Sequence, residues 1–173
     1  MRNFIAGVVA GLVATALVVW LYPWRIEASG EPASAERWLM ARLVDKAIAR
    51  EAPHAANPFA VSDEILLEGM KFYTSGCAGC HGDGKQASIW GTTSFFPRAP
   101  QFGTHPTPRP DWQIFWIVKH GIRNTGMGGW SKLAGDDDLW KVALFLDRMD
   151  SLPPAVAARW RGDAQVQSSP PDR

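Results

Sequence analysis

Ser75–Gly84, read as SGCAGCHGDG, contains both cysteines of this 173-residue chain. Cys77 and Cys80 are separated by two residues, and His81 follows directly. A zinc site built on this pair needs further cysteine or histidine ligands at suitable spacing, and the remaining histidines are scattered. A redox-active disulfide at this spacing belongs in an alternating strand and helix context, whereas this sequence predicts helices without a convincing strand.

The remaining interpretation follows from the spacing, because C-x-x-C-H is the sequence signature of covalent haem attachment. Two thiols at this separation reach the two vinyl groups on one edge of a porphyrin, and the next histidine then lies under the iron. A short turn delivers all three groups together. We therefore expect one covalent haem c, held by Cys77, Cys80 and His81.

The N-terminal stretch Phe4–Tyr22, FIAGVVAGLVATALVVWLY, contains no charged residue. At about 1.5 Å per residue, a helix of this length spans roughly the 30 Å of a bilayer's hydrocarbon core. Trp20, Tyr22 and Trp24 fit an aromatic belt at the far interface. The sequence therefore predicts a transmembrane helix.

Arg2 precedes this helix, and the positive-inside rule then leaves the N-terminus in the cytoplasm. We expect a single-pass protein of the bacterial inner membrane whose haem domain lies in the periplasm, because c-type haem is attached outside the bacterial cytoplasm. A cleaved signal peptide is the alternative, although Glu27-Ala28-Ser29 is a poor cleavage site. Both interpretations export the haem domain.

Glu31–Glu51 predicts an amphipathic helix, with Pro32 in its first turn. Its apolar residues recur at helical spacing: Leu39, Met40, Leu43, Val44, Ala47 and Ile48. Two interpretations of this face stay open. It covers part of the main domain, or it docks a partner or lies on a lipid surface.

Further helices are predicted over Ser62–Gly76, with Ser62 as its cap, over Asp111–His120, capped by Asp111, over Asp136–Met149, and over a short stretch ending at Arg161. Residues 82–110 contain five prolines and no periodicity, which predicts an extended loop. The polar tail from Gly162 is expected to be disordered.

The order of the haem motif, loops and helices along residues 62–152 resembles that of a class I c-type cytochrome. The features that carry the resemblance are CAGCHGDG at 77–84, the proline-rich loop, KHGIRNTGMGGW at 119–130, and a C-terminal helix with Trp140 and Phe145. The resemblance implies an all-α, three-helix class I cytochrome c fold around the haem. It also implies that the first and last helices meet at Gly69, where the missing side chain lets an aromatic approach.

The resemblance further implies that Met127 is the sixth iron ligand. Met127 lies in a glycine-flanked loop rather than on a periodic apolar face, and thioether sulfur binds haem iron and raises its potential. His105 and His120 remain alternatives that would give a bis-histidine haem. In place of the Met-Pro common among relatives, this chain has Met127-Gly128.

The proximal histidine needs a partner for its second ring nitrogen, usually a backbone carbonyl. In the resembled family a proline-containing loop supplies this carbonyl, and Pro97 and Pro100 are the candidates. Trp130 or Arg98 are candidates for a hydrogen bond to a haem propionate. For Arg98, a solvated loop residue is the alternative.

The formal net charge of +1 indicates neither a nucleic acid nor a strongly acidic partner, and we expect no nucleic-acid partner. A haem with both axial positions filled has no place for substrate, but its iron still exchanges one electron at the porphyrin edge. A haem enzyme or gas sensor would require Met127 to leave the iron. We therefore expect an electron-transfer protein rather than an enzyme.

The predicted function is that of a membrane-anchored periplasmic monohaem cytochrome c, carrying electrons between redox proteins. A fixed subunit of a membrane oxidoreductase complex, such as a dehydrogenase or terminal oxidase, is the alternative. The predicted units are a transmembrane anchor at 1–24, an amphipathic helix and linker at 25–61, the cytochrome domain at 62–152, and a short helix with a disordered tail at 153–173.

Overall fold

The computed structural model describes residues 1–22 and 27–162. Within these residues the chain forms eight helices and no strand, which confirms the predicted all-α class. The helices are α1 (Arg2–Leu21), α2 (Ser34–Glu51), α3 (Asp63–Gly76), α4 (Ala78–His81), α5 (Ile89–Thr93), α6 (Asp111–His120), α7 (Asp136–Asp147) and α8 (Pro154–Arg161). The predicted interfacial position of Trp24 and the predicted disorder beyond Gly162 lie outside the described residues.

Helix α1 contains the predicted apolar run and has no buried residue. It is long and apolar enough to cross a membrane by length and composition. Its large apolar side chains, such as Leu12 and Val18, are exposed in the structure. The core of the haem domain includes no residue of α1, so the two parts of the chain have separate apolar surfaces.

Helices α3 and α7 form the centre of the haem domain, and α6 packs against α7. Side chains without solvent exposure from α3 and α7 fill this contact: Leu66, Tyr73, Leu139, Val142 and Phe145. Helix α7 is buried on nearly all sides, and three aspartates occupy its first turn. Negative side chains at a helix N-terminus interact favourably with the helix dipole.

Gly69 lies where α3 meets α7, in agreement with the resemblance. A Cβ atom at this position would collide with the backbone carbonyl oxygen of Lys141 and lie 2.9 Å from the Cβ of Phe145. Since backbone atoms cannot swing aside as a flexible side chain does, only glycine permits this approach. This contact fixes the position of α3 against α7, the helix that contains Phe145.

The core continues into α8, beyond residue 152. Val156 has no solvent exposure, and the Trp160 ring lies 5.5 Å from Tyr73 and 5.3 Å from Phe145, both edge-to-face. Offset and edge-to-face aromatic contacts are favourable beyond the area they bury. Helix α8 thus packs against the same aromatic centre as α3 and α7.

The segment that precedes α3 is also held against the haem domain. Ile48 and Ala52 are buried, and Asp45 forms an ion pair with Arg109 in the loop before α6. The His54 ring stacks on Trp112 at 4.0 Å. The segment predicted as a linker is therefore packed at its start.

Asn57 continues this attachment beyond the histidine. Its amide nitrogen donates to the Asp111 carboxylate at 3.0 Å and to the Trp140 carbonyl at 3.3 Å. These bonds join the chain before α3 to both α6 and α7.

Local structure departs from the sequence predictions at four places, one of which is the end of α7 at Asp147 rather than at Met149. Helix α2 begins at Ser34, so Pro32 precedes it rather than occupying its first turn. Pro110 caps α6 with extended backbone, and Asp111 is the first helical residue, its carboxylate accepting from the Trp112 amide at 2.8 Å. The loop 82–110 contains the short helix α5, which Ser88 caps by accepting from the Gly91 amide.

The close approach at Gly69 predicts that Gly69→Ala destabilises the haem domain. Forcing a methyl group against backbone in a packed core costs about 1–3 kcal/mol. Urea unfolding of the haem-loaded protein in detergent, followed by Soret absorption, measures the change. Gly135→Ala is the matched control, because no atom lies within 4 Å of a Cβ built there. An equal unfolding free energy for both variants would contradict the packing argument.

Candidate haem site

The haem motif is the continuation of α3 into a single tight turn. Helix α3 ends at Gly76, Cys77 is its C-cap, and α4 follows at once. The amides of Cys80 and His81 both donate to the Cys77 carbonyl, at 3.1 and 3.0 Å. This turn brings two thiols and an imidazole together at the end of a helix whose position the core determines.

The turn opens onto a cavity of about 330 Å³. Its walls come from three parts of the chain: residues within 76–81, within 95–100 and within 122–133. Cys77, Cys80 and His81 line it together with Met127. Its size lies within the range of about 300–1,000 Å³ for ligand pockets. Two thiols, an imidazole and a thioether on the wall of one apolar cavity are the donor set that a covalent haem requires, so the residues fit this group.

The His81 ring is oriented by two neighbours. Its Nδ1 lies 2.9 Å from the Pro100 carbonyl oxygen, and the ring stacks on Phe102 with 4.7 Å between centroids. Burial lowers the pKa of His81, and the bond to the Pro100 carbonyl opposes this shift. With Nδ1 bonded to the carbonyl, Nε2 is the nitrogen left to bind a metal. Pro97, the other candidate proline, lines the cavity.

Tyr73 ties the haem motif to the core. Its hydroxyl donates to the Gly82 carbonyl at 2.8 Å and lies 3.2 Å from the His81 carbonyl. Burial raises the pKa of Tyr73, so its hydroxyl remains a donor at physiological pH. Gly82 has a φ of 73°, a left-handed value that lets the chain turn away directly after the histidine.

Burial and, to a smaller extent, the neighbouring Cys80 together raise the pKa of the Cys77 thiol to about 12. Both cysteines are free thiols in the polypeptide. Thioether bonds to haem remove these titrating protons. Cys77 is buried and Cys80 half-buried, so the two sulfurs differ in their access to solvent.

Gln101 is a residue of the site that the sequence analysis did not identify. Its amide nitrogen donates to the carbonyls of Cys80 and Ala99, at 3.0 and 2.8 Å, and its oxygen accepts from the Ser88 amide at 2.7 Å. One side chain therefore joins the haem motif, the start of α5 and the loop that supplies the Pro100 carbonyl. A lone glutamine in a proline-rich loop carries no sequence signal for this role.

Helix α5 packs directly on the haem motif, which the sequence analysis also did not foresee. Gly91 faces the Cys80 carbonyl so closely that a Cβ at this position would collide with it. The Ser88 hydroxyl donates to the Gly79 carbonyl at 2.5 Å. The short helix thus covers the Cys80 side of the motif.

A tight loop holds Met127 on the part of the cavity wall that comes from residues within 122–133. The Ile122 amide donates to the Met127 carbonyl at 2.9 Å, and the Met127 amide donates to the Thr125 hydroxyl at 3.1 Å. A Cβ on Gly126 would meet the Phe95 ring at 2.7 Å, so this glycine is needed for the loop to pass. Met127 itself is half-buried against the core.

The two alternative axial ligands lie elsewhere. His105 is exposed, with its Nδ1 2.9 Å from the Thr104 hydroxyl. His120 is exposed at the end of α6, beside Trp116. Neither histidine is among the residues that line the cavity, whereas Met127 is.

The two candidates for propionate binding both line the cavity. The Arg98 guanidinium donates to the carbonyls of Thr93, Phe95 and Ser29, at 2.7, 3.0 and 2.9 Å. Arg98 is thus bound to backbone rather than only solvated. Trp130 packs edge-to-face on Phe72 at 5.4 Å.

Comparison with known proteins identifies the kind of domain that contains this site. The family described as "Cytochrome C oxidase, cbb3-type, subunit III" matches residues 65–146, a little under half of the chain. The chain carries a class I c-type cytochrome domain. This cytochrome domain has one covalent haem c as its cofactor, for which Cys77 and Cys80 fit the attachment motif, and its role is electron transfer.

Among solved structures, the chain is similar to the reducing HAO-like protein complex of Kuenenia stuttgartiensis. The identity is 18% and the TM-score 0.41, with 54% of this chain and 48% of that chain covered. The chain therefore spans about half the length of that structure's chain. No curated protein matches the chain.

The contacts of Gln101 predict that Gln101→Leu destabilises the haem-loaded cytochrome domain. The substitution keeps the side-chain size but leaves backbone groups of Ser88, Cys80 and Ala99 without this partner. Each unsatisfied buried group costs about 1–3 kcal/mol. Urea unfolding followed by Soret absorption measures the loss. Gln86→Leu is the matched control, because Gln86 is exposed. A loss of stability no larger than that of the control would show that Gln101 is dispensable.

Proposed function

We propose that this chain is a membrane-anchored monohaem cytochrome c that carries single electrons between redox proteins, with its haem domain in the bacterial periplasm. The observation that carries the proposal is the cavity that brings Cys77, Cys80 and His81 together with Met127. With both His81 and Met127 bound to it, a haem iron held here would have no position left for a substrate. Electron transfer at the porphyrin edge is the chemistry that such a site still permits.

Haem supplies the one-electron Fe(III)/Fe(II) couple, and the chain supplies ligation, orientation and a low-dielectric surrounding. In the proposed arrangement Cys77 and Cys80 would hold the group covalently, and His81 and Met127 would bind its iron. The Pro100 carbonyl fixes the His81 ring through Nδ1. The second-shell hydrogen bond sets both the orientation and the basicity of a ligating histidine.

Arg98 and Trp130 are proposed to bind the propionates. A guanidinium has five N–H donors. Three contacts of Arg98 go to backbone carbonyls, and these hold its charge beside the cavity while further donors remain. Pro97, in the same loop, is proposed to shape the cavity wall.

Helix α1 supports the membrane anchor by its length and composition. The periplasmic location rests on Arg2 before the helix and on the requirement for haem attachment outside the cytoplasm. Under this proposal electron transfer takes place at the outer surface of the inner membrane.

A second candidate function is a fixed cytochrome subunit of a membrane oxidoreductase complex, such as a terminal oxidase. The specific observation in its favour is the matching family, whose description names a subunit of an oxidase. Helix α2, half docked on the haem domain, offers further surface for a neighbouring subunit. Both candidates use the same haem chemistry and differ in the lifetime of the contact with the partner.

Gentle detergent extraction of native membranes tests the proposal. A mobile carrier is expected to migrate as a monomer on size-exclusion chromatography and to be reduced by added donor without co-purifying proteins. A stoichiometric complex that persists through two chromatographic steps would contradict the mobile carrier and favour the fixed subunit of a complex. Failure of the chain to remain with membranes before detergent is added would contradict the anchor.

The position of Met127 predicts the effect of Met127→Ala on the haem-loaded protein. Thioether ligation raises the reduction potential of haem iron, so its loss is expected to lower the midpoint potential. The long-wavelength absorption band of methionine-ligated ferric haem should also disappear. Met40→Ala is the matched control, since Met40 is exposed on α2. An unchanged band in Met127→Ala would assign the sixth position to another residue.

A further inference from the structure

Helix α2 has four exposed apolar side chains in its N-terminal half, Trp38, Leu39, Met40 and Leu43, here called the stripe. Their exposed fractions are 59%, 49%, 48% and 50%. Four large apolar side chains within six residues of one helix are more than the scattered single exposures of an ordinary surface. The stripe therefore indicates a surface that is covered by an apolar partner or by lipid.

The stripe is not what attaches α2 to the haem domain. The C-terminal half of the helix makes that attachment, through buried Ile48, the ion pair of Asp45 with Arg109, and buried Ala52 directly after the helix. Helix α2 is therefore held on the domain with its N-terminal apolar residues facing outward. These residues can contact a second surface without any change in the contact between α2 and the haem domain.

Basic residues accompany the stripe along the helix. Lys46 follows Leu39 by seven residues, and Arg50 follows Leu43 by seven, which places each pair on one side of the helix. The Arg42 guanidinium lies 5.0 Å from the Trp38 ring centroid. Long basic side chains flanking apolar ones can bury their stems and extend their charges to anionic headgroups.

One of these charges has an acidic partner, and one further acidic residue lies at the start of the helix. Arg50 pairs with Glu51 at 2.9 Å, and Glu36 lies in the first turn of the helix. Arg42, next to Leu43, and Lys46, one turn further along the helix, are therefore the residues on which an attraction to anionic lipid would depend. The mixture is typical of an interfacial helix of modest affinity rather than of a strongly basic one.

The chain between α1 and the haem domain is short. Ala28 follows Leu21, the last residue of α1, by seven residues. The Ala28 carbonyl accepts from the Phe96 amide at 2.7 Å, and the Ser29 carbonyl accepts from Arg98. Seven residues reach at most about 25 Å when fully extended. If α1 spans the bilayer, the haem domain is thereby held at the bilayer surface.

We propose that α2 lies on the bilayer surface, with Trp38, Leu39, Met40 and Leu43 in the interfacial region and Arg42 and Lys46 against anionic lipid headgroups. This inference rests on the proposed membrane anchor. The lipid contact would add a second point of attachment to the tether, and two attachments restrict the orientation of the haem domain more than one does. The occupant is the lipid surface itself, since the tether keeps this surface within reach of α2.

The test uses the full haem-loaded chain in nanodiscs of anionic phosphatidylglycerol, with single cysteines introduced one at a time. Cys77 and Cys80 are consumed as thioethers, so a membrane-impermeant maleimide reacts at the introduced residue. Leu39→Cys and Leu43→Cys report the stripe. Ile89→Cys is the matched control, because Ile89 is an apolar residue with 80% exposure on α5.

The expected result is labelling of Leu39→Cys and Leu43→Cys at a rate about tenfold lower than that of Ile89→Cys, equivalent to about 1.4 kcal/mol of protection. The protection should weaken in zwitterionic phosphatidylcholine discs. It should also weaken when each cysteine variant is combined with Arg42→Glu and Lys46→Glu. Equal labelling rates at the stripe and at Ile89→Cys would overturn the proposal. Protection that depends on protein concentration and not on lipid charge would also overturn it, in favour of a second copy of the chain.

A Val13→Cys variant in α1 separates this inference from the anchor itself. Protection of Val13→Cys together with open labelling of the stripe would refute the lipid contact of α2 and leave the anchor intact. Open labelling of Val13→Cys would refute the anchor, and with it the basis of the inference.

Discussion

The approach of α3 to α7 at Gly69 is the constraint on which the haem site depends. A side chain at this position would strike the Lys141 carbonyl, so the two helices come this close only because glycine has no Cβ. Helix α3 ends in the haem motif, with Cys77 as its C-cap. The position and direction of the two thiols and the imidazole are consequently set by a helix contact about two turns before the motif.

The motif is then fixed by partners that satisfy its backbone groups. Tyr73 reaches the Gly82 carbonyl, Gln101 reaches the Cys80 carbonyl, and the Pro100 carbonyl meets Nδ1 of His81. A buried carbonyl without a partner is costly, so these contacts stabilise one geometry of the turn. A ligand geometry held in this way is suited to electron transfer, because the site need not rearrange when the iron changes its charge.

The loop that forms one wall of the cavity also receives the chain from α1. Phe96 bonds to Ala28, while Arg98 bonds to Ser29 and to carbonyls of its own loop. The tether is therefore continuous with the haem pocket rather than attached to a remote face. In the proposed function this contact and the α2 surface together decide which face of the haem domain a partner meets.

The sequence alone determined the haem motif, the all-α class, the apolar N-terminal helix and most helix boundaries, because these depend on spacing, periodicity and local caps such as Ser62. It also supplied Pro100 as one of two candidates for the carbonyl beside His81, but it could not choose between them. Gln101, the packing of α5 on Cys80 and the docking of the segment after α2 were decided by the tertiary structure. Each depends on residues far apart in the chain, whose hydrogen bonds and contacts exist only once α3, α6 and α7 have packed.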